Sequence, residues 1–407
     1  MVGGLMWLAS LVLVILPTSC ARVDDEEPAA GYRVHHGDLE VLAVTPPEQF
    51  VGRIPLMPPR RAEQEIWDAQ FREENPDFFA PTDPPPPGIR AVAEFEPMDA
   101  VYIAFDPSTE QFTRDLLRAV LPRAPVIVTL THDEKPERFD DFLRAGDIDG
   151  RGIRLLNLQH DNFWTRDFGP VSVELPDGRP AFLDFSYPQT RVLDDGIPSA
   201  LALAYGVPVF RIPLGLEGGV IMTNGEGLCV TTTTLAVANP DVPFEMLTRQ
   251  MERLLGCSQL AFLESPRDEA TGHVDMFAKF TSRDTVLVGS FDAEESPEDA
   301  AHMDRNARLL KTIRVGRGQK LRVVRIPMPT PEGSVYRSYT NSLLVNGLAV
   351  VPTYGRDPRE EAAALDSYRR ALPADWEVST VDASGAIGLG GAVHCAALEI
   401  RLTRSEK

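Results

Sequence analysis

The chain has 407 residues, 43% of them apolar, enough for a large buried core, which excludes a disordered polymer. Sixty Asp and Glu against 40 Lys and Arg leave a formal charge of −20. Nucleic acid is therefore excluded as a partner, because its phosphates would be repelled, whereas a cationic ligand would be drawn in.

Leu5 to Leu16 form an almost unbroken apolar run, too short to span a bilayer but suited to the core of an export signal. Pro17-Thr18-Ser19-Cys20 follows and resembles a bacterial lipoprotein cleavage site, at which Cys20 would be acylated. Three readings stay open: a lipoprotein anchored at the periplasmic or outer-membrane face, a secreted protein, or a start placed too early on a soluble one. The remaining cysteines are Cys229, Cys257 and Cys395. With Cys20 lipidated, at least one of the three stays unpaired in an oxidising compartment. From Ala21 to about residue 90 the chain reads as a linker and irregular extension, with a stiff proline run between Pro81 and Pro87 and a short helix-like stretch at 61–72.

From residue 91 the layout strand, turn, strand, helix, strand recurs five times, at about 40–55 residues per copy. The first copy has a strand at 101–105, a helix opened by Ser108-Thr109-Glu110-Gln111 as a capping box, and a return at 126–130. The second runs from Val171 through the turn Asp177-Gly178 to 181–185, a helix near 199–205 and a strand at 207–212. In the third, Asn224-Gly225 marks a hairpin and Gly256 stops the helix 243–255. The fourth has strands at 276–280 and 285–289 and a helix starting at Ser296-Pro297. In the fifth, Asn346-Gly347 turns the hairpin and Asp357-Pro358 caps the helix. One such unit cannot bury its own apolar faces, so the five must stack or close into a ring, the plainer alternative being an ordinary α/β sheet. The expected fold is an α/β five-bladed propeller of ββαβ units with a central pit.

The polar signatures fall at the junctions between units: Trp164-Thr165-Arg166-Asp167, Glu217-Gly218-Gly219, Gly272-His273-Val274-Asp275, Tyr339-Thr340-Asn341-Ser342, and Gly390-Gly391 leading to His394-Cys395. In a ring, equivalent junctions lie at one end of the axis, so Asp167, Glu217, His273, Asp275, Asn341 and Cys395 are expected around one pit. Crowded carboxylates need a cation, and a planar guanidinium offers a fork of donors that matches carboxylates. A thiolate beside a histidine is a nucleophile with a proton shuttle. Taken singly, each motif has a plainer reading: a surface ion pair, a turn, a hydrogen-bonded pair, or, for Cys395, a disulfide partner of Cys229 or Cys257.

With these motifs in this order, the chain resembles the agmatine deiminase and bacterial (Porphyromonas-type) peptidylarginine deiminase family over about 91–402. The resemblance implies a pentein-like fivefold α/β propeller, no metal and no organic cofactor. It implies that Cys395 attacks the guanidinium carbon and that Asp167 and Asp275 hold the guanidinium nitrogens. Glu217 sits beside the histidine, and His273 serves leaving ammonia and then water. Trp164 covers the flat face of the group, and Asn341 lines the pit. Arg191, in the stretch Tyr187 to Asp195, matches one of two arginines with which some members clamp a substrate carboxylate; Gln189 stands where the other would be. The implied layout is a signal segment with a possible lipoprotein cysteine at 1–20, a Pro-rich linker and extension at 21–90, and a deiminase domain at 91–407. The implied partner is a small guanidine or an arginine-containing peptide. Agmatine would give N-carbamoylputrescine, and peptidyl arginine would give citrulline. Alternatives are an amidinotransferase or dimethylarginine hydrolase on the same fold, or a silent guanidinium-binding lipoprotein.

Overall fold

A computed structural model describes residues 31–50, 62–131, 134–187 and 191–404. The signal segment and Cys20 lie outside the described residues, among which no helix is long and apolar enough to cross a membrane. Five mixed sheets account for nearly all the strands. In each, a short first strand runs antiparallel to a second, and a helix returns the chain to a third strand parallel to the second. That order is forced, because a parallel pair needs a crossover.

The third unit shows how the sequence builds one. Ile221–Thr223 pairs antiparallel with Leu228–Thr232, which pairs parallel with Gln259–Leu263. The crossover helix Phe244–Leu255 buries Leu247, Met251, Leu254 and Leu255 along one stripe, each burial contributing about 1.5–3 kcal/mol. Gly256, at φ 72°, terminates it in the left-handed region. The second unit has strands Val171–Glu174, Pro180–Ser186 and Val209–Gly215. The fourth has Ala278–Ser282, Thr285–Ser290 and Arg322–Pro327, and the fifth Leu343–Val345, Leu348–Thr353 and Glu377–Asp382. Asp357 caps the fifth unit's helix, Pro358–Ala371, by accepting from the backbone N–H of Arg359 at 2.8 Å.

Several elements depart from the sequence reading. The first unit takes its antiparallel strand from the far end of the chain: Leu398–Ile400 pairs with Ala100–Phe105, so the C-terminus joins the sheet that the N-terminal part begins. A helix at Pro136–Ala145 and a fourth strand at Ile153–His160 extend that unit. The expected capping box is not made there: Thr109 gives no side-chain cap, and Asp106 instead caps the preceding turn. The helix of the second unit begins at Val192, ahead of the expected start. Within the supposed linker, Tyr32–His36 and Leu39–Ala43 form a hairpin whose second strand pairs with Gln259–Leu263. Alternating apolar residues at Leu39, Val41 and Ala43 are fully buried there, which identifies that segment as a sheet edge extension. The helix Ala62–Glu74 docks on the second unit through Phe71, which lies beside Gly196.

Candidate active site

Each unit is entered through a tight turn just before its first strand, and these turns carry the reactive side chains. Asp167 lies in the helical turn Thr165–Phe168, ahead of Val171–Glu174. Glu217 precedes the turn Gly218–Val220. His273 and Asp275 flank Val274 in the turn ahead of Ala278–Ser282. Asn341 stands just before Leu343–Val345, and Cys395 just before Leu398–Ile400.

The turns are tied to one another through backbone. The Arg166 N–H donates to the Cys395 carbonyl at 3.1 Å, and the His394 N–H to that of Asn341 at 3.0 Å. The Thr340 hydroxyl donates to the Asp275 carbonyl at 3.0 Å. Glycine is required where the turns touch. A Cβ on Gly219 would stand 2.4 Å from His273 Nδ1 and 3.1 Å from Asp275 Oδ2. One on Gly391 would stand 2.9 Å from Cys395 Sγ and 2.8 Å from the Trp164 ring.

The Cys395 thiol is buried and unpaired. Its Sγ accepts from Asn341 Nδ2 at 3.0 Å and lies 3.7 Å from Asp275 Oδ2. Asn341 Oδ1 accepts from the backbone N–H groups of Ala392, His394 and Cys395 at 3.1, 3.0 and 3.3 Å. Asn341 thus fixes the nucleophile loop as well as lining the pit. His273 Nε2 is 2.8 Å from Glu217 Oε2, and its Nδ1 is 3.6 Å from Asp167 Oδ1. Asp167 Oδ1, Asp275 Oδ1 and His273 Nδ1 are buried with no hydrogen-bond partner among the described residues. Buried polar atoms are nearly always satisfied, so three unsatisfied ones in one cluster mark a site made for a polar ligand.

Electrostatics points to a cation. Burial, reinforced by Glu217 and Asp275, pushes the Asp167 carboxyl well above its usual range. Burial opposes charge on His273, but Asp167 and Glu217 overcome it and lift the imidazole to about 10. Burial, with Asp275 and Asp167 nearby, pushes the Cys395 thiol well up. Asp275 goes the other way: despite burial, its bond to His394 holds it below the ordinary carboxylate range. A cation entering the pit would favour the ionised forms of both Asp167 and Cys395. Asp167, Glu217 and His273 also offer ligand atoms within 4.8 Å of one another, as do Glu94, His394 and Glu399. The second group already faces the guanidinium of Arg166 and the ammonium of Lys279.

Of the residues expected at the site, Cys395, His273, Asp275, Asp167, Glu217 and Asn341 meet in this cluster, with the Trp164 ring at its edge. Arg191 immediately precedes the helix Val192–Tyr205, near Asp194, whose carboxyl is pushed well above its usual range by burial and Asp161 while the Arg191 charge opposes the shift. The alternative of Cys395 as a disulfide partner is overturned, because Cys229 and Cys257 are bonded to each other. Sequence reasoning missed Glu94, Lys279 and the role of His394. His394 Nδ1 lies 2.6 Å from Asp275 Oδ2 and Nε2 lies 2.7 Å from Glu94 Oε1. Lys279, fully buried in the strand Ala278–Ser282, meets Glu94 Oε2 at 2.6 Å. The signal available was a lysine between apolar neighbours in Met276-Phe277-Ala278-Lys279-Phe280, a residue type almost never fully buried unless paired.

A family model described as Porphyromonas-type peptidyl-arginine deiminase matches residues 90–400. A provisionally assigned agmatine deiminase of Streptomyces avermitilis is 29% identical over 76% of this chain and 96% of its own. One from Vibrio parahaemolyticus is 24% identical over 78% and 98%. Among solved structures, the agmatine deiminase of Enterococcus faecalis superposes with TM-score 0.68 at 21% identity over 78% of this chain and 97% of its own. A provisionally assigned arginine deiminase from Porphyromonas gingivalis gives TM-score 0.68 at 23% identity over 76% and 98%.

Proposed function

The chain belongs to the Porphyromonas-type peptidyl-arginine deiminase family, and from that membership we propose that it hydrolyses a guanidine to a ureido product and ammonia through a covalent bond to Cys395. The observation that carries this reading is one cluster holding a free thiol, an imidazole paired with a carboxylate, and two buried carboxylate oxygens without a hydrogen-bond partner among the described residues.

The guanidinium enters between Asp167 and Asp275, whose open Oδ1 atoms accept its N–H groups. The arriving charge favours loss of the Cys395 proton, and Asn341 Nδ2 donates to the resulting sulfur anion. The thiolate attacks the central carbon. As the tetrahedral adduct collapses, the C–N bond breaks and the His273 imidazolium gives its proton to departing ammonia, leaving a thiouronium on the sulfur. His273, now neutral, takes a proton from water; hydroxide adds to the same carbon, and as the C–S bond breaks to free the thiolate the adduct's hydroxyl proton passes to solvent, leaving the ureido product. Glu217, at 2.8 Å from Nε2, orients the ring and favours its charged form.

We further propose that the chain acts outside the cytosol. The apolar segment before Cys20 supports it, as does the disulfide Cys229–Cys257, since such bonds persist in oxidising compartments. Acylation at Cys20 would add membrane attachment. Globomycin-sensitive processing in the native host with labelling by a tagged palmitate tests this, and recovery of unprocessed protein in the cytosol would overturn it.

The deciding assay measures ammonia release and product mass for agmatine, free arginine and short peptides with internal or terminal arginine. Wild-type protein should yield a ureido product, and Cys395→Ala none. Ammonia release that persists in Cys395→Ala would reject the nucleophile. Transfer of an amidino group without ammonia would indicate an amidinotransferase, and binding without turnover a silent binder.

A further inference from the structure

A chain of alternating charges runs from the nucleophile into the body of the protein. Cys395 Sγ faces Asp275 Oδ2, and the same Oδ2 is bonded to His394 Nδ1 at 2.6 Å. His394 Nε2 meets Glu94 Oε1 at 2.7 Å. Glu94 Oε2 accepts from Lys279 Nζ at 2.6 Å, and Oε1 lies 3.8 Å from Arg166, which in turn pairs with Glu399. Glu94 belongs to none of the five junction turns; it lies on the segment between Arg90–Ala91 and Ala100–Phe105.

Both ring nitrogens of His394 face carboxylates. Asp275 is held below its ordinary range by His394, and Glu94 lies well below its own because His394, Lys279 and Arg166 outweigh its burial. Two ionised carboxylates on one ring each require an N–H, and only the imidazolium form carries two. Its Nδ1–H occupies Asp275 Oδ2 and leaves Oδ1, buried and without a partner among the described residues, for the substrate. A neutral ring, with a single N–H, fills both contacts only when one of the two carboxyls keeps a proton.

From this geometry we infer that Glu94 is a positioning residue for the reaction: by holding His394 as a cation one residue before Cys395, it keeps Asp275 ionised and turned toward the guanidinium, and lowers the cost of the sulfur anion. The inference rests on Cys395 being the nucleophile. The charged groups facing this relay are His273, Asp167 and Cys395 on the pit side of Asp275, and Lys279, Arg166 and Glu399 behind Glu94.

The test is Glu94→Gln. Its amide can donate to a neutral His394 Nε2, so the imidazolium is no longer required. Because Lys279 would lose its anionic partner in the interior, the double variant Glu94→Gln/Lys279→Met is made alongside, removing both charges of the buried pair. Two measurements are taken on each. The first is the pH dependence of Cys395 alkylation by iodoacetamide, followed by mass spectrometry of the Cys395 peptide; it needs no substrate. The second is the pH profile of kcat/KM on whichever guanidine the wild type turns over. Losing the imidazolium raises the thiol pKa and that of Asp275, so alkylation at pH 8 should fall about tenfold and the acid limb of kcat/KM should move to higher pH. The overall loss should be about 10- to 100-fold, as for partners that orient a functional ligand at one remove. Glu94→Asp should recover part of it. Unchanged alkylation and an unmoved acid limb in the folded double variant would overturn the relay. A wild type without deiminase activity would instead overturn the proposed function, while the alkylation profile still decides the relay.

Discussion

Asn341 offers the sharpest separation of holding the nucleophile loop from tuning the sulfur. Its Oδ1 accepts three backbone N–H groups, and its Nδ2 donates to Cys395 Sγ at 3.0 Å. Asn341→Asp keeps the shape and the acceptor, and three N–H donors favour the carboxylate, so the loop should hold. It removes the donor on sulfur and places a negative charge in its stead. A hydrogen bond to a charged group contributes about 1.5–3 kcal/mol, which at about 1.36 kcal/mol per tenfold is about 10- to 150-fold in thiolate population, with repulsion in addition. Asn341→Ala removes the acceptor too. The His394 N–H retains the Asn341 carbonyl at 3.0 Å, but those of Ala392 and Cys395 lose their side-chain acceptor. At about 1–3 kcal/mol each that is about 2–6 kcal/mol of stability. The assay is iodoacetamide alkylation of Cys395 against pH, with thermal unfolding run in parallel. The aspartate variant should unfold near the wild-type temperature with a strongly raised thiol pKa, and the alanine variant should show both defects. A wild-type alkylation profile in Asn341→Asp would refute the assignment of Asn341 as the donor to sulfur.

The pH dependence follows from the same cluster. The thiol sits well above its usual value and His273 near 10, so the reactive thiolate–imidazolium form of the free protein grows with pH through the neutral range. kcat/KM should rise by up to tenfold per pH unit from about pH 6 and fall only as His273 loses its proton; a maximum at pH 5–6 would contradict the charge assignments. The disulfide should matter to stability alone. Replacing Cys229 and Cys257 by alanine removes a crosslink spanning 28 residues, about 3–4 kcal/mol by loop-closure entropy. The unfolding temperature should drop while kcat stays unchanged, and loss of turnover on reduction would show that the bond supports the site.

The junction phase made most of the cluster legible before any coordinates. Each reactive residue except Cys395 sits just ahead of a strand whose hairpin partner is announced by local signals such as Asn346-Gly347, and the five junction turns meet at one cluster. Elements fixed by contacts distant in sequence were not legible. The first unit borrows Leu398–Ile400 across almost the whole domain, and nothing local near Ala100 announces it. The hairpin at 32–43 looked like extension because its partner strand begins at Gln259. Glu94 was silent for the same reason: its partners are Arg166, Lys279 and His394, none of them near it in the chain.

The charge distribution also bears on how a catalytic cycle ends. Asp167, Glu217 and Asp275 surround one imidazole, and the His394 ring on the far side of Asp275 is shared with Glu94. Burial, and then repulsion from the neighbouring carboxylates, pushes the Asp167 carboxyl and the Cys395 thiol toward their neutral forms. A guanidinium relieves that repulsion, whereas a ureido group is neutral and restores it. The interactions that hold the substrate thus weaken when the C–N bond breaks, and product leaves against a smaller barrier than substrate would. The excess of 60 acidic over 40 basic residues acts in the same direction at longer range, since a negative field raises the encounter rate of a cation and does nothing for a neutral product. Substrate capture should therefore weaken with added salt far more than product inhibition does.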